Sequence, residues 1–238
     1  MGKLLLLLRL EGPLQSWGLR SRWDVRDTGE EPSKSGIVGL LGCALGYPVG
    51  DPRLEELDAQ LRMGVRVEHP GTRLVDFQTI TGVLPIASGG VRGSPDDPAT
   101  VISPRSYLQD AAFLVVLDGP DEVLRRCAAA LAAPRWPLYL GRKSCIPTRP
   151  VLEGLTDAYD SIEEALERHP WDWGGRQTLK EPPSTLRIVV EDPAGEAIRP
   201  DRIRVNPARM YANRTVRVGH VPFPGEAPQG EGGATACT

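Results

Sequence analysis

Three short stretches carry residue types that bind anions. The densest is Tyr139-Leu140-Gly141-Arg142-Lys143-Ser144-Cys145-Ile146-Pro147-Thr148-Arg149. With Arg135 just upstream, residues 134–150 hold four cations and no acid. Gly141 lets the backbone turn close to a phosphate. Arg142, Lys143 and Arg149 supply charge, Ser144 and Thr148 hydroxyls, and Tyr139 a stacking face, which together suit a nucleic-acid backbone. A solvated run of charge is the plainer alternative. The second stretch, Glu30-Glu31-Pro32-Ser33-Lys34-Ser35-Gly36, opens a helix, so free N–H groups beside Lys34 and Ser35 offer a seat for one phosphate. An ordinary capped helix reads the same way. The third, Ser103 to Asp110, alternates Arg105 with Tyr107, so both face one side of an extended segment; a loop arginine with a half-buried tyrosine fits equally.

Hydrolytic chemistry fits poorly. Aligning Lys34-Ser35 with a nucleotide-binding P-loop puts Thr28 and Ser33 where its glycines belong, and Glu30 and Glu31 where phosphates would be repelled. Metal-free RNA cleavage needs a histidine, or a substitute such as a close Lys/Tyr pair, to move a proton. His69, His169 and His220 all lie outside the three stretches. Cys43, Cys127, Cys145 and Cys237 form no C-x-x-C pair and no zinc-type spacing with histidine. The expectation is therefore binding without catalysis, metal or cofactor.

The elements that must position these residues follow from apolar pattern and punctuation. Lys3 to Leu10 reads as a buried strand closed by Gly12-Pro13, and a polar loop bearing Arg20, Arg22 and Arg26 follows. Ser33 to Gly46 reads as a helix, with Ile37, Val38, Leu40, Leu41, Ala44 and Leu45 on one side and Gly36, Gly39, Gly42 and Gly46 on the other. Each glycine costs about 1 kcal/mol of helix propensity, so a neighbouring backbone or a ligand must come close there. Strands are expected at Met63 to Glu68, Ala112 to Leu117 and Pro137 to Leu140, with a helix from Pro120 to Ala133. Residues 70–110 read as irregular, with one short strand near Leu74 to Leu84. The order is the split β-α-β pattern of an α+β fold. Beyond it lie a helix at Ser161 to Arg168 and strands at Thr185 to Glu191 and near Arg214 to Val221. The Gly/Pro/Ala tail, 222–238, is expected to be disordered.

With 238 residues, 40% hydrophobic and 25% charged, the composition is that of a globular chain. Its net charge of −3 weighs mildly against a free-standing nucleic-acid binder, unless the cations share one face. The Leu4 to Leu8 run is too short for a secretory core or a membrane span, so a cytoplasmic protein with no membrane partner is expected.

Four ordered stretches resemble the type I-E CasD family of the RAMP superfamily: Leu8 to Gly18 (LRLEGPLQSWG), Pro32 to Gly42 (PSKSGIVGLLG), Arg105 to Ala111 (RSYLQDA) and Tyr139 to Cys145 (YLGRKSC). The resemblance is strong in the N-terminal unit and around 105–150, and weak over 50–100 and the final third. It implies a ferredoxin-like, RRM-related βαββαβ core over residues 1–150 with a protruding thumb hairpin at about 72–111. A smaller β-rich extension over 151–221 would follow. It implies a non-catalytic subunit of the CRISPR Cascade complex that caps the 5′ handle of the crRNA. That subunit would contact CasC and the large CasA, share the complex with CasB and CasE, and meet target DNA only through it. A related type I-C subunit cuts RNA, so a metal-free endoribonuclease of repeat RNA is the alternative. The RNA-binding positions expected are Gln15, Ser16, Trp17, Arg26, Lys34, Ser35, Arg105, Tyr107, Tyr139, Gly141, Arg142, Lys143, Ser144, Thr148 and Arg149.

Overall fold

A computed structural model describes residues 2–19, 25–86, 88–174, 181–205 and 210–225. The first strand, β1 (Leu5–Glu11), is buried on both faces: Leu6, Leu8 and Leu10 enter one core and Leu5 and Leu7 another. Period-2 side-chain alternation within a two-sided sheet explains why the run is continuously apolar. Each such leucine contributes roughly 1.5–3 kcal/mol by leaving water. After β2 (Leu14–Gln15) comes α1 (Lys34–Leu45), capped by the Ser33 hydroxyl accepting the Gly36 N–H and ended by Gly46 at φ 76°. Then follow α2 (Pro52–Gln60), β3 (Arg62–His69), β4 (Thr72–Gly82), the short β5 (Leu84–Pro85) and β6 (Val91–Arg92), and β7 (Ala99–Gln109). β8 (Ala112–Asp118), α3 (Asp121–Ala132) and β9 (Leu152–Thr156) come next, then α4 (Ile162–Arg168), β10 (Thr185–Glu191), β11 (Ala197–Arg204) and β12 (Met210–Pro222).

Seven strands form one antiparallel sheet in the order β11-β12-β10-β3-β8-β1-β9. The class is α+β, with four helices among the described residues. Helices α1, α2 and α3 cover the face that holds Leu8, Val65 and Val115, and α4 covers the face of Leu5, Leu114 and Ile188. Strands on both sides of residue 150 share this sheet. Between the α4 face and the sheet sits a buried ionic cluster. Arg66 reaches Glu68 at 2.8 Å and donates to the Leu166 and His169 carbonyls at the end of α4, each at 2.7 Å. Arg9 reaches Glu68 and Glu153, each at 3.3 Å. A hydrogen bond from His169, helped by Arg9, holds the Glu153 carboxyl down at about 2, whereas burial pushes Glu68 up.

Two expected features change. Residues 70–110 are not irregular: β4 and β7 pair over eleven residues each, from Thr72↔Gln109 to Gly82↔Ala99. Most of β4 is solvent-exposed on both faces, so no buried alternation marks it in the sequence. Residues 137–140 are not a strand. The Leu140 N–H donates to the Cys145 carbonyl at 2.7 Å and its carbonyl accepts from Ser16 N at 3.0 Å, which closes a loop. β9 takes the place beside β1 instead. The helix α2 and the strand β11 were not anticipated. Of the stretch 222–238, Pro222 ends β12 and the Phe223 ring lies 5.5 Å from Trp171; residues 226–238, where disorder was expected, lie outside the described residues. No described helix is long and apolar enough to cross a membrane.

Candidate nucleic-acid interface

The loop after β2 turns back on itself through local hydrogen bonds. Gln15 donates to the Leu10 and Ala111 carbonyls and accepts from the Trp17 indole at 3.1 Å. Both side chains are buried, Trp17 to 1% exposure, and Trp17 packs against the place where a Gly36 side chain would be. Farther on, the backbone of Arg26 bridges to Arg105 on β7 of the β4–β7 hairpin: its N–H donates to Pro104 O at 2.9 Å and its carbonyl accepts from Ser106 N at 2.8 Å. The loop at Gly141 comes in from the other side. Gly141 has φ 89°, and a β-carbon there would overlap the Ser16 carbonyl. The close approach expected of this glycine is to the protein's own backbone.

These contacts enclose a cleft of about 540 Å³. Ser16 to Leu19, Arg26 and Asp27 line it from the loop after β2, Ser33, Ser35 and Gly36 from the start of α1, and Arg105, Gly141 and Arg142 from β7 and the 141–142 turn. Pro200 and Tyr211 line it from β11 and β12. The three stretches picked out by residue chemistry thus meet in one place.

Arg142 is held in place while keeping donors to spare. Its guanidinium lies 4.5 Å above the Tyr107 ring, and its Nη2 donates to the Arg26 and Asp27 carbonyls at 3.1 and 3.3 Å. Its Nη1, and Nε of Arg105, are buried donors with no hydrogen-bond partner. A buried unsatisfied donor costs about 1–3 kcal/mol. Arg26, Arg105 and Arg142 face Asp27 as the acid among the lining residues.

Other expected residues are placed elsewhere. Lys34 is 2% exposed; its ammonium lies 2.8 Å from Glu191 and 3.9 Å from Asp58, and its backbone N–H donates to Asp201. Its charge is spent inside the protein, and a carboxylate already occupies part of the helix start. Tyr107 is 3% exposed beneath Arg142. Tyr139 is half-buried and, like the exposed Lys143 and Ser144, lies outside the cleft lining. Thr148 lines a second cleft of about 420 Å³ with Glu11, His69, Asp110 and Trp173. Beside it Arg149 is paired to Asp172 at 2.8 Å and to Glu11 at 3.7 Å. That acidic rim disfavours phosphate. Pro200 and Tyr211 were missed; the start of β12, where an aromatic begins an alternating strand, was the available signal. No group of three or more His, Cys, Asp or Glu among the described residues is arranged to hold a metal ion.

A family model described as a CRISPR-associated protein (Cas_Cas5) matches residues 5–217. The chain is 34% identical over 177 residues to a protein of Escherichia coli (strain K12) named CRISPR system Cascade subunit CasD, covering 69% of this chain and 77% of that one. A solved structure described as a CRISPR RNA-guided surveillance complex aligns with TM-score 0.73 at 35% identity over 95% of both chains. Another, described as a crystal structure of Cas protein, aligns with TM-score 0.69 at 38% identity over 94% of this chain and 99% of that one. A family match along most of the chain and a relative of this identity lead to one conclusion: the chain belongs to the Cas5 family of CRISPR-associated proteins, in its CasD branch.

Proposed function

We propose that this chain is a cytoplasmic subunit of a CRISPR Cascade surveillance complex, where it binds and caps the 5′ handle of the crRNA and anchors the CasC backbone and the large CasA subunit. CasB and CasE share the complex, and target DNA is met through it. In this reading residues 1–150 supply a ferredoxin-like core, with β4–β7 as its thumb within about 72–111, and residues 151–221 complete and extend the sheet. The four strands β9-β1-β8-β3 lie in the neighbour order of a split β-α-β pair, the fourth of them, β9, coming from just beyond residue 150, which supports the core's topology.

The observation that carries the reading is the cleft in which Arg26, Arg105 and Arg142 converge beside the start of α1, two of them with unpaired buried donors. One basic groove inside an otherwise acidic chain suits a subunit that grips a few nucleotides, with phosphates giving affinity and bases giving preference. The subunit binds without cutting. Among the described lining residues the cations are arginines, which stay protonated and do not shuttle protons near neutral pH.

Binding of the full chain to a labelled single-stranded repeat RNA of about eight nucleotides tests this. Changing Arg105 and Arg142 together to Gln should weaken binding about tenfold or more per charge-assisted contact. It should also flatten the log K against log salt slope by about 1.4, or 0.7 per phosphate. Unchanged affinity and slope sink the proposal. A product of defined length from the same RNA in EDTA would instead establish the endoribonuclease alternative.

A further inference from the structure

The rings that the sequence sets beside the cations offer little exposed face in the arginine cleft. Trp17 lines it at only 1% exposure, Tyr107 is buried, and Tyr139 is not among the lining residues. A more exposed aromatic residue lines it from the far end of the chain: Tyr211 at the start of β12 is 47% exposed and shares the lining with Arg105 and Arg142. We infer that Tyr211 is a base-stacking residue, taking the face of one unpaired nucleobase whose backbone lies against Arg105 and Arg142. The inference rests on the RNA-binding function proposed above and gives the C-terminal strands a part in it.

Guanidinium groups hold phosphates but give little purchase on a base. An aromatic face in the same lining supplies it, tolerantly of sequence, because every base has a π-face. A tyrosine loses little side-chain entropy on stacking, since two torsions fix it. The fold ties the strand that carries Tyr211 to the start of α1, which lines the same cleft. Tyr211 pairs with Ile203 across β11–β12, and the register shift between Arg199 and Arg202 brings Pro200 to the cleft, where its missing N–H breaks no ladder. Buried charges then fasten this strand pair to α1 and α2. Asp201 accepts the Lys34 N–H at 2.8 Å and binds Arg214 at 2.7 and 3.0 Å. Asp58 accepts Ile203 N–H at 3.3 Å and Arg202 Nε at 3.1 Å. The helix start that lines the cleft and the strand that carries Tyr211 are therefore joined through Asp201, which favours the preorganisation a stacking contact needs.

The test uses the full chain and the same labelled repeat RNA, with a series of single abasic substitutions along it. Tyr211→Ala and Tyr211→Leu should weaken binding by roughly 5- to 100-fold, the range for loss of one stacked base. Tyr211→Phe and Tyr211→Trp should stay within about threefold, because the face and not the hydroxyl acts. The salt slope should match that of the unchanged protein, since no phosphate contact is lost. One abasic position should cost the unchanged protein as much as Tyr211→Ala does, and cost that variant little more. Tyr211→Leu keeps apolar bulk at the position, so a folding defect in the alanine variant does not decide the outcome. Wild-type affinity in Tyr211→Leu, weakening in Tyr211→Phe equal to that in Tyr211→Ala, or no coupled abasic position overturns the stacking inference. If the Arg105/Arg142 variant is weakened at the same time, the cleft reading survives. Wild-type affinity in that variant too, or no binding by the unchanged chain, overturns both.

Discussion

Changing Lys34 to methionine separates two roles that a lysine at a helix start can have. The variant keeps the aliphatic stem and removes an ammonium that is 2% exposed, 2.8 Å from Glu191 and 3.9 Å from Asp58. Removing one partner of a buried ion pair costs about 3–5 kcal/mol. Glu191 lies nearer the surface than Asp58, so the lower end, about 3 kcal/mol, applies. An unfolding entropy of about 2.1 cal/mol/K per residue gives roughly 0.5 kcal/mol/K for 238 residues, and hence a Tm about 6 °C lower. The pH dependence follows from Asp58. Burial raises its carboxyl, and the Lys34 charge opposes the rise, so the variant raises it further. A carboxyl raised in the folded state adds stability below its unfolded value of about 3.9, and that contribution is lost as pH climbs through the folded value. The deficit of the variant should therefore be full near neutrality and shrink toward pH ~4. Thermal melts from pH ~4 to ~8 measure it, and Lys34→Met with Glu191→Gln should recover part of the loss by relieving the unpaired carboxylate. RNA affinity and salt slope should hold. A melt within about 1 °C of the unchanged protein, with the slope flatter by about 0.7, would show instead that Lys34 grips a phosphate.

Two further perturbations read other parts of the design. Gly141→Ala forces a side chain onto a backbone at φ 89° and against the Ser16 carbonyl. Such a strained position costs about 1–3 kcal/mol, so melting should fall by several degrees, and displacement of Arg142 should weaken RNA binding in the same assay. Glu153 is held down at about 2, first by His169 and then by Arg9. A depressed carboxyl contributes stability above its unfolded value of about 4.3, lost as pH falls from there toward about 2. Glu153→Gln should therefore melt lower at neutral pH and show a shallower acid limb, and an unchanged limb in a pH-resolved melt would refute the assignment.

Much of the frame is legible in the residues alone. The leucines of β1, the Ser33 and Gly46 caps of α1, the acids that open α3 and the apolar run of β10 are local signals, satisfied within a turn or a strand. The hairpin β4–β7 escaped notice because solvent on both faces removes the alternation by which a strand announces itself. The start of α2 is marked locally by Asp51 as cap and Pro52 in the first turn. Residues 137–140 look like a strand because their apolar side chains seek the core, yet their backbone hydrogen bonds close a loop.

The order of residues says which cations, hydroxyls and glycines exist and that three groups of them suit an anion. Tertiary structure decided which remain available. Lys34 and Arg149 face carboxylates that the fold brings to them, and Gln15, Trp17 and Tyr107 are enclosed. Arg105 and Arg142 line a shared cleft, each with one buried donor unpaired, and Tyr211 arrives there from a strand that the motifs do not mark. The physical reason is that charge and shape belong to a residue, whereas pairing and burial belong to its neighbours. Glu191, which neutralises Lys34, lies 157 positions away along the chain, so no local pattern contains it.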